Sequence, residues 1–127
     1  FDDRDFAKVE SNNNNDTIQY LLDTLGNTYR VAYNLKNVSL DITALDLQGQ
    51  NLSTLPEIVC QQTQLKVLLL NGTKLTTLPE SISKLTNLQT LDLRDNPALA
   101  PYDKELSGEE LKTFLQDLSK GKIKFGK

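Results

Sequence analysis

Two carboxylates and one thiol carry most of the chemistry that this 127-residue chain could perform. Asp46 and Asp92 stand on either side of the apolar run Val67–Leu70. Two carboxyls held roughly 6.5–9.5 Å apart can act as acid and base on a glycosidic bond. Cys60 is the single cysteine. A thiol becomes a nucleophile when nearby positive charge lowers its pKa, and no basic residue neighbours Cys60 in sequence, so it reads as structural. Histidine is absent, which excludes Ser-His-Asp and Cys-His catalysis and His-ligated zinc or haem. One cysteine excludes an internal disulfide, a CxxC redox motif and a four-Cys zinc site. No glycine-rich phosphate loop and no EF-hand calcium loop occurs, so neither cofactor nor metal is expected.

The bulk properties narrow the class further. The net charge of −3 argues against a nucleic-acid partner, which usually meets a strongly basic face. The longest apolar run is far short of the roughly 20 residues that span a bilayer, so no transmembrane segment is expected. Methionine is also absent, which points to a trimmed, processed or partial chain. A removed export signal would account for that, favouring the cell envelope over the cytoplasm.

What would position the carboxylates is an internal repeat with a period of 23 residues. Ile42, Leu65 and Leu88 fall in register, as do Leu45, Leu68 and Leu91, and then Leu47, Leu70 and Leu93. Leu52 and Leu75, Leu55 and Leu78, Pro56 and Pro79, and Val59 and Ile82 continue it. Leucines two apart suit a strand with one buried face. The looser spacing toward Leu78, Ile82 and Leu85 suits a turn or short helix, and Pro56 and Pro79 end any strand pairing. Each unit is a strand and a return segment. None can bury its leucines alone, so neighbours must stack.

The units LKVLLLNGTKLTTLPESISKLTN and LQTLDLRDNPALAPY, with ITALDLQGQNLSTLPEIVCQQTQ before them, resemble the leucine-rich repeat family in its LxxLxLxxNxLxxLPxxI form. The resemblance covers residues 42–101. It implies an α/β fold: a short solenoid of three repeats with parallel strands on a concave face and helical caps at both ends. The family's Asn ladder position holds Gln50, Thr73 and Asn96, so the first two turns should be looser. Gln62 stands where Leu85 stands one repeat later, which makes the first return side less apolar.

The flanks are expected to close the core. Residues 1–15 form an acidic, Asn-rich leader expected to be flexible. Residues 16–41 form the N-terminal cap. Ile18, Leu21, Leu22 and Leu25 fall on one helical face, with Asp16 as N-cap and Gly26 just past the end. A second turn or helix is expected from Tyr29 to Leu35. Over 102–119, Ser107 and Glu110 spell a capping box, and Leu111, Phe114, Leu115 and Leu118 make the apolar face of a closing helix. Glu109 and Glu110 suit its positive end. Residues 120–127 are a basic tail, expected to be frayed.

On the implied concave face lie Ala44, Asp46 and Gln48, then Val67, Leu69 and Asn71, then Thr90, Asp92 and Arg94. Leu69, with Val67 beside it, is expected as an exposed apolar anchor ringed by charge, the anatomy of a binding patch. Two strand spacings of ~4.8 Å hold the Asp46 and Asp92 backbones roughly 10 Å apart, at the wide limit for a glycosidase pair. No aromatic sugar platform accompanies them, so no enzyme is expected. Asn-x-Ser/Thr triplets at Asn15, Asn37, Asn51 and Asn71 are attributed to the abundance of Asn. The expected function is a non-catalytic protein-binding module, a monomeric accessory or scaffolding subunit within a hetero-complex. The alternatives are a regulatory or targeting domain of a multidomain enzyme and a cell-surface binder of a peptide or sugar.

Overall fold

The computed structural model describes residues 6–8, 18–38 and 41–126. Within these residues runs one seven-stranded sheet whose spatial order follows the chain order. Its strands are β1 (Phe6–Lys8), β2 (Gln19–Asp23), β3 (Thr28–Ala32), β4 (Ala44–Asp46), β5 (Val67–Leu69), β6 (Thr90–Asp92) and β7 (Glu105–Ser107). The pairs β3–β4, β4–β5 and β5–β6 are parallel; β1–β2, β2–β3 and β6–β7 are antiparallel. Ala44 pairs with Val67 and Val67 with Thr90, so the sheet register is the 23-residue sequence period.

Successive strand residues point to opposite faces. One face carries Leu45, Leu68, Leu91 and Leu106 into the main core, with Ile42, Leu47, Leu65, Leu70, Leu88 and Leu93 from the strand flanks. The return segments close that core from the far side. They are a single helical turn, α1 (Glu57–Cys60), and the 3₁₀ turns Glu80–Lys84 and Pro97–Leu99. Val59, Ile82 and Leu99 point inward from them. Polar bonds tie successive returns together: the Ser81 hydroxyl donates to Glu57 at 2.9 Å, and the Asn87 amide donates to the Thr63 carbonyl at 2.9 Å. The second helix, α2 (Gly108–Ser119), buries Leu111, Phe114 and Leu118 in the same core.

The N-terminal flank departs from expectation. Instead of a helix over 16–25, β2 and β3 form a hairpin, with Gln19 opposite Val31 and Leu22 opposite Thr28. The leucine spacing fits a helix, yet Leu25 is 85% exposed at the hairpin tip. Asp23 fixes the turn. Its carboxylate accepts the Leu25 N–H at 3.0 Å and the Asn27 N–H at 2.8 Å, and Gly26 supplies a left-handed φ of 89°. Burial acts to raise the Asp23 pKa, but the bonds from Asn27, Leu25 and Tyr29 outweigh it and hold the carboxyl below its ordinary value. The run Thr28–Ala32 is strand as well, because Tyr29 and Val31 alternate onto one face, and only Leu35–Asn37 makes a 3₁₀ turn. The expectations for the leader and for Asp16 lie outside the described residues, except that Phe6–Lys8 pair with β2 as a strand.

Two expectations at the other end also change. Ser107 sits at the N-cap of α2 but makes no side-chain cap bond, and Glu110 pairs with Lys104 instead of closing a capping box. The tail is folded back. Ile123 and Phe125 pack on the main core, the Phe125 ring meets Tyr102 edge-on at 5.9 Å, and the Gly126 N–H donates to the Ala100 carbonyl at 2.9 Å.

Candidate functional site

The face of the sheet opposite the main core carries all nine residues singled out from the sequence. They lie on β4, β5 and β6 and just beyond their ends. Ala44, Val67 and Thr90 share one rung, and Asp46, Leu69 and Asp92 the next. Two residues further on stand Gln48, Asn71 and Arg94.

Leu69 and Val67 are not exposed anchors. Leu69 is 0% exposed and Val67 4%, within a second apolar cluster that also holds Leu21, Tyr29, Val31 and Ala44. Tyr33 packs against it and donates its hydroxyl to Gln19 Oε1 at 2.7 Å. Burial pushes the Tyr33 hydroxyl up to about 12. The strand β2 supplies Leu21 and β3 supplies Tyr29 and Val31, members that helices over both segments would not place here. Alternation in Tyr29-Arg30-Val31 was the available signal.

Asp46 and Asp92 are buried as well. Each carboxylate accepts the backbone N–H two residues on, at 3.1 Å from Gln48 and 3.1 Å from Arg94. The matching side chains return to it. Gln48 Nε2 donates to Asp46 at 2.9 Å, and Arg94 forms a fork on Asp92 with Nε at 2.9 Å and Nη2 at 2.6 Å. Such a fork orients a guanidinium firmly. Leu69 stands between the two residues on the intervening strand, and each carboxylate anchors its own turn.

The solvent-facing part of this face is therefore the row Gln48, Asn71 and Arg94, together with half-buried Thr90. The Arg94 side chain is 48% exposed. Asn71 Nδ2 donates to Gln48 Oε1 at 3.0 Å, linking first and second repeats. Its other amide atom, Oδ1, is buried and has no hydrogen-bond partner. An unpaired buried acceptor costs on the order of 1–3 kcal/mol.

Beneath that row runs the ladder. Asn96 Nδ2 donates to the carbonyls of Leu70, Leu93 and Arg94, and its Oδ1 accepts the Leu75 N–H at 3.0 Å. Thr73 and Gln50, expected to leave looser turns, both bond. Thr73 Oγ1 donates to the Leu70 carbonyl at 2.7 Å, and Gln50 Nε2 reaches the Tyr33 carbonyl at 2.7 Å. Gln50 thus ties the first repeat to the hairpin. Gln62 is buried and satisfied locally, donating to the Ile58 carbonyl at 3.0 Å. Cys60 is 1% exposed, and burial, with the Glu57 charge adding to it, pushes its thiol up against the smaller lowering effects of Ser81 and Lys84. A neutral buried thiol is inert.

A separate cleft of about 630 Å³ lies between α2 and residues 83–89, with Leu88, Leu111 and Leu115 among its lining and Glu109, Lys112 and Gln116 beside them. Sequence reasoning gave no sign of it. Among the described residues no group of three or more His, Cys, Asp or Glu side chains could hold a metal, and no helix is long and apolar enough to cross a membrane.

A family model described as leucine-rich repeats in two copies matches residues 63–107. Neither a curated protein nor a solved structure matches the chain. The matched segment holds β5, β6 and β7, the second return and the Thr73–Asn96 ladder, where the sequence period and the sheet register coincide. Over residues 63–107, then, the chain is similar to leucine-rich repeats.

Proposed function

We propose that this protein is a non-catalytic binding module that docks a protein partner against the strand face, as an accessory or scaffolding subunit of a larger assembly. Leucine-rich repeats commonly mediate protein–protein interaction. The observation that carries the assignment of the face is the row Gln48, Asn71 and Arg94. It places one polar side chain per repeat at the same height, two of them joined to each other and the third held by a buried carboxylate. Side chains fixed in advance lose little freedom on binding, which favours recognition. Val67 and Leu69 serve as the packed floor beneath that row. The three parallel repeat strands span only ~15 Å, so an interface of roughly 800 Å² on this side draws on the flanks too.

The test is a pull-down from the source's own lysate with wild type, Arg94→Glu and, on the return side, Ile58→Glu. Ile58 is exposed on α1. One prey recovered with wild type and Ile58→Glu but lost with Arg94→Glu supports the strand face. Equal recovery with Arg94→Glu moves the interface to the return side or to the cleft beside α2 and sinks this assignment.

A further inference from the structure

We infer that Asn71–Gly72 is a deamidation site whose reactivity is gated by the contact between the second and third repeats. It is the one Asn-Gly step in the chain. Glycine offers no side chain to hinder approach to the preceding amide, so this step is the most reactive of its kind. In the reaction the Gly72 backbone nitrogen attacks Asn71 Cγ. A bond forms between N and Cγ, the Cγ–Nδ2 bond breaks, and ammonia leaves with the proton that the Gly72 N–H gives up. Water then opens the resulting imide at either carbonyl, giving aspartate or isoaspartate.

The fold opposes every part of that attack. The Gly72 N–H donates to the Arg94 carbonyl at 2.9 Å, which holds the nucleophile toward the third repeat. The Asn71 carbonyl accepts the Gly49 N–H at 3.0 Å, so the same peptide group is pinned to the first repeat as well. The leaving nitrogen, Nδ2, is tied to Gln48 Oε1 at 3.0 Å. Rotation of Asn71 toward Gly72 therefore requires the ladder to open locally, and Asn96, bonded to the Leu70 and Arg94 carbonyls, is the side chain that keeps it closed.

The product cannot restore the closed state. A carboxylate at position 71 has no N–H for Gln48 Oε1. An isoaspartate also lengthens the main chain by one methylene at the peptide that bonds both Gly49 and Arg94, so the two bonds cannot keep their spacing. Each opening that ends in reaction leaves a repeat that stays loosened, so modification at Asn71 accumulates as a record of opening. The inference stands apart from the proposed partner face, although the modified residue lies on it.

The experiment is peptide mapping by mass spectrometry of the full chain held in mildly alkaline buffer, with and without concentrated urea. The amide-to-acid mass gain and the isoaspartate content at position 71 are followed over time. The expected result is modification roughly tenfold or more slower in native buffer than in urea, since reaction waits on local opening. Asn96→Ala, checked for folding by circular dichroism, is expected to raise the native rate toward the urea rate. Equal rates for wild type in the two buffers, or an unmodified position 71 in urea, overturns the inference. The wild-type comparison alone decides the matter where Asn96→Ala does not fold.

Discussion

Two leucine-rich stretches of this chain differ in how much of their apolar surface they bury. In the second repeat Leu65, Leu68 and Leu70 are completely buried, whereas in the N-terminal hairpin Leu22 is 38% and Leu25 85% exposed. The difference lies in the neighbours. Each repeat leucine finds its equivalent one period away on the adjoining strand, Leu45 beside Leu68 and Leu68 beside Leu91. The hairpin has no equivalent beside it, so turn chemistry at Asp23 and alternation at Tyr29 and Val31 decide its course. In the hairpin, Leu21, Tyr29 and Val31 are buried where they reach the strand-face cluster.

The comparison breaks most sharply with truncation at its two poles. Leu68→Ala is expected to lose about 2–5 kcal/mol in urea unfolding, because the site is enclosed on both sides by other strands. Leu25→Ala should change stability by no more than about 0.5 kcal/mol. A large loss at Leu25 would mean that the tip is covered in solution. The ladder gives the next effect. Asn96→Ala removes bonds to three carbonyls, two of which keep another donor, and takes its acceptor from the Leu75 N–H, and is expected to cost about 3 kcal/mol, whereas Gln50→Ala, which removes one bond to the Tyr33 carbonyl, should cost about 1 kcal/mol.

A smaller effect of opposite sign is expected at Asp95. Gly49, Gly72 and Asp95 are equivalent turn positions, with φ of 77°, 68° and 60°. Asp95 adopts with a side chain the left-handed conformation that the first two turns assign to glycine. Asp95→Gly should stabilise by about 1 kcal/mol, measured as a raised unfolding midpoint. A fall in that midpoint would show that the Asp95 carboxylate stabilises its turn.

The smallest expected effect is a pH dependence at the hairpin side of the strand face. Tyr33 has its pKa raised from 10.0 to about 12 by burial, so the folded chain favours the neutral hydroxyl. The stability this gives is complete below pH 10 and is lost as the pH climbs toward 12. Tyr33→Phe should flatten that decline in urea midpoints measured across the interval. An unchanged decline would place its origin elsewhere, such as Tyr29, which is also raised by burial and by Asp23.

The repeats were legible because 23-residue spacing and sheet register are one geometric fact, read first along the chain and then across it. The hairpin was not, because Ile18, Leu21, Leu22 and Leu25 satisfy helical spacing by coincidence, while the turn-forming power of Asp23 depends on its bonds to Leu25 and Asn27. All nine residues of the proposed face could be placed from the pattern, but their exposure could not. Leu69 is hidden within a cluster that β2 and β3 help to build, and the leucine spacing there points to helix or turn instead of strand. The unpartnered Asn71 oxygen had no sequence signal, since it results from how Asn71 meets Gln48 across a strand gap.

Strand direction sets how such a protein can lengthen over evolution. Within the described sheet the parallel block from β3 to β6 is bordered on each side by a strand running the opposite way, β2 before it and β7 after it. A duplicated 23-residue unit placed beyond β7 would meet an edge of the wrong polarity. The same unit inserted between β4 and β6 would meet its own direction on both sides. The array is thus open to growth from its middle, and a longer descendant would carry its newest repeat at the centre of the face and keep the ancestral borders.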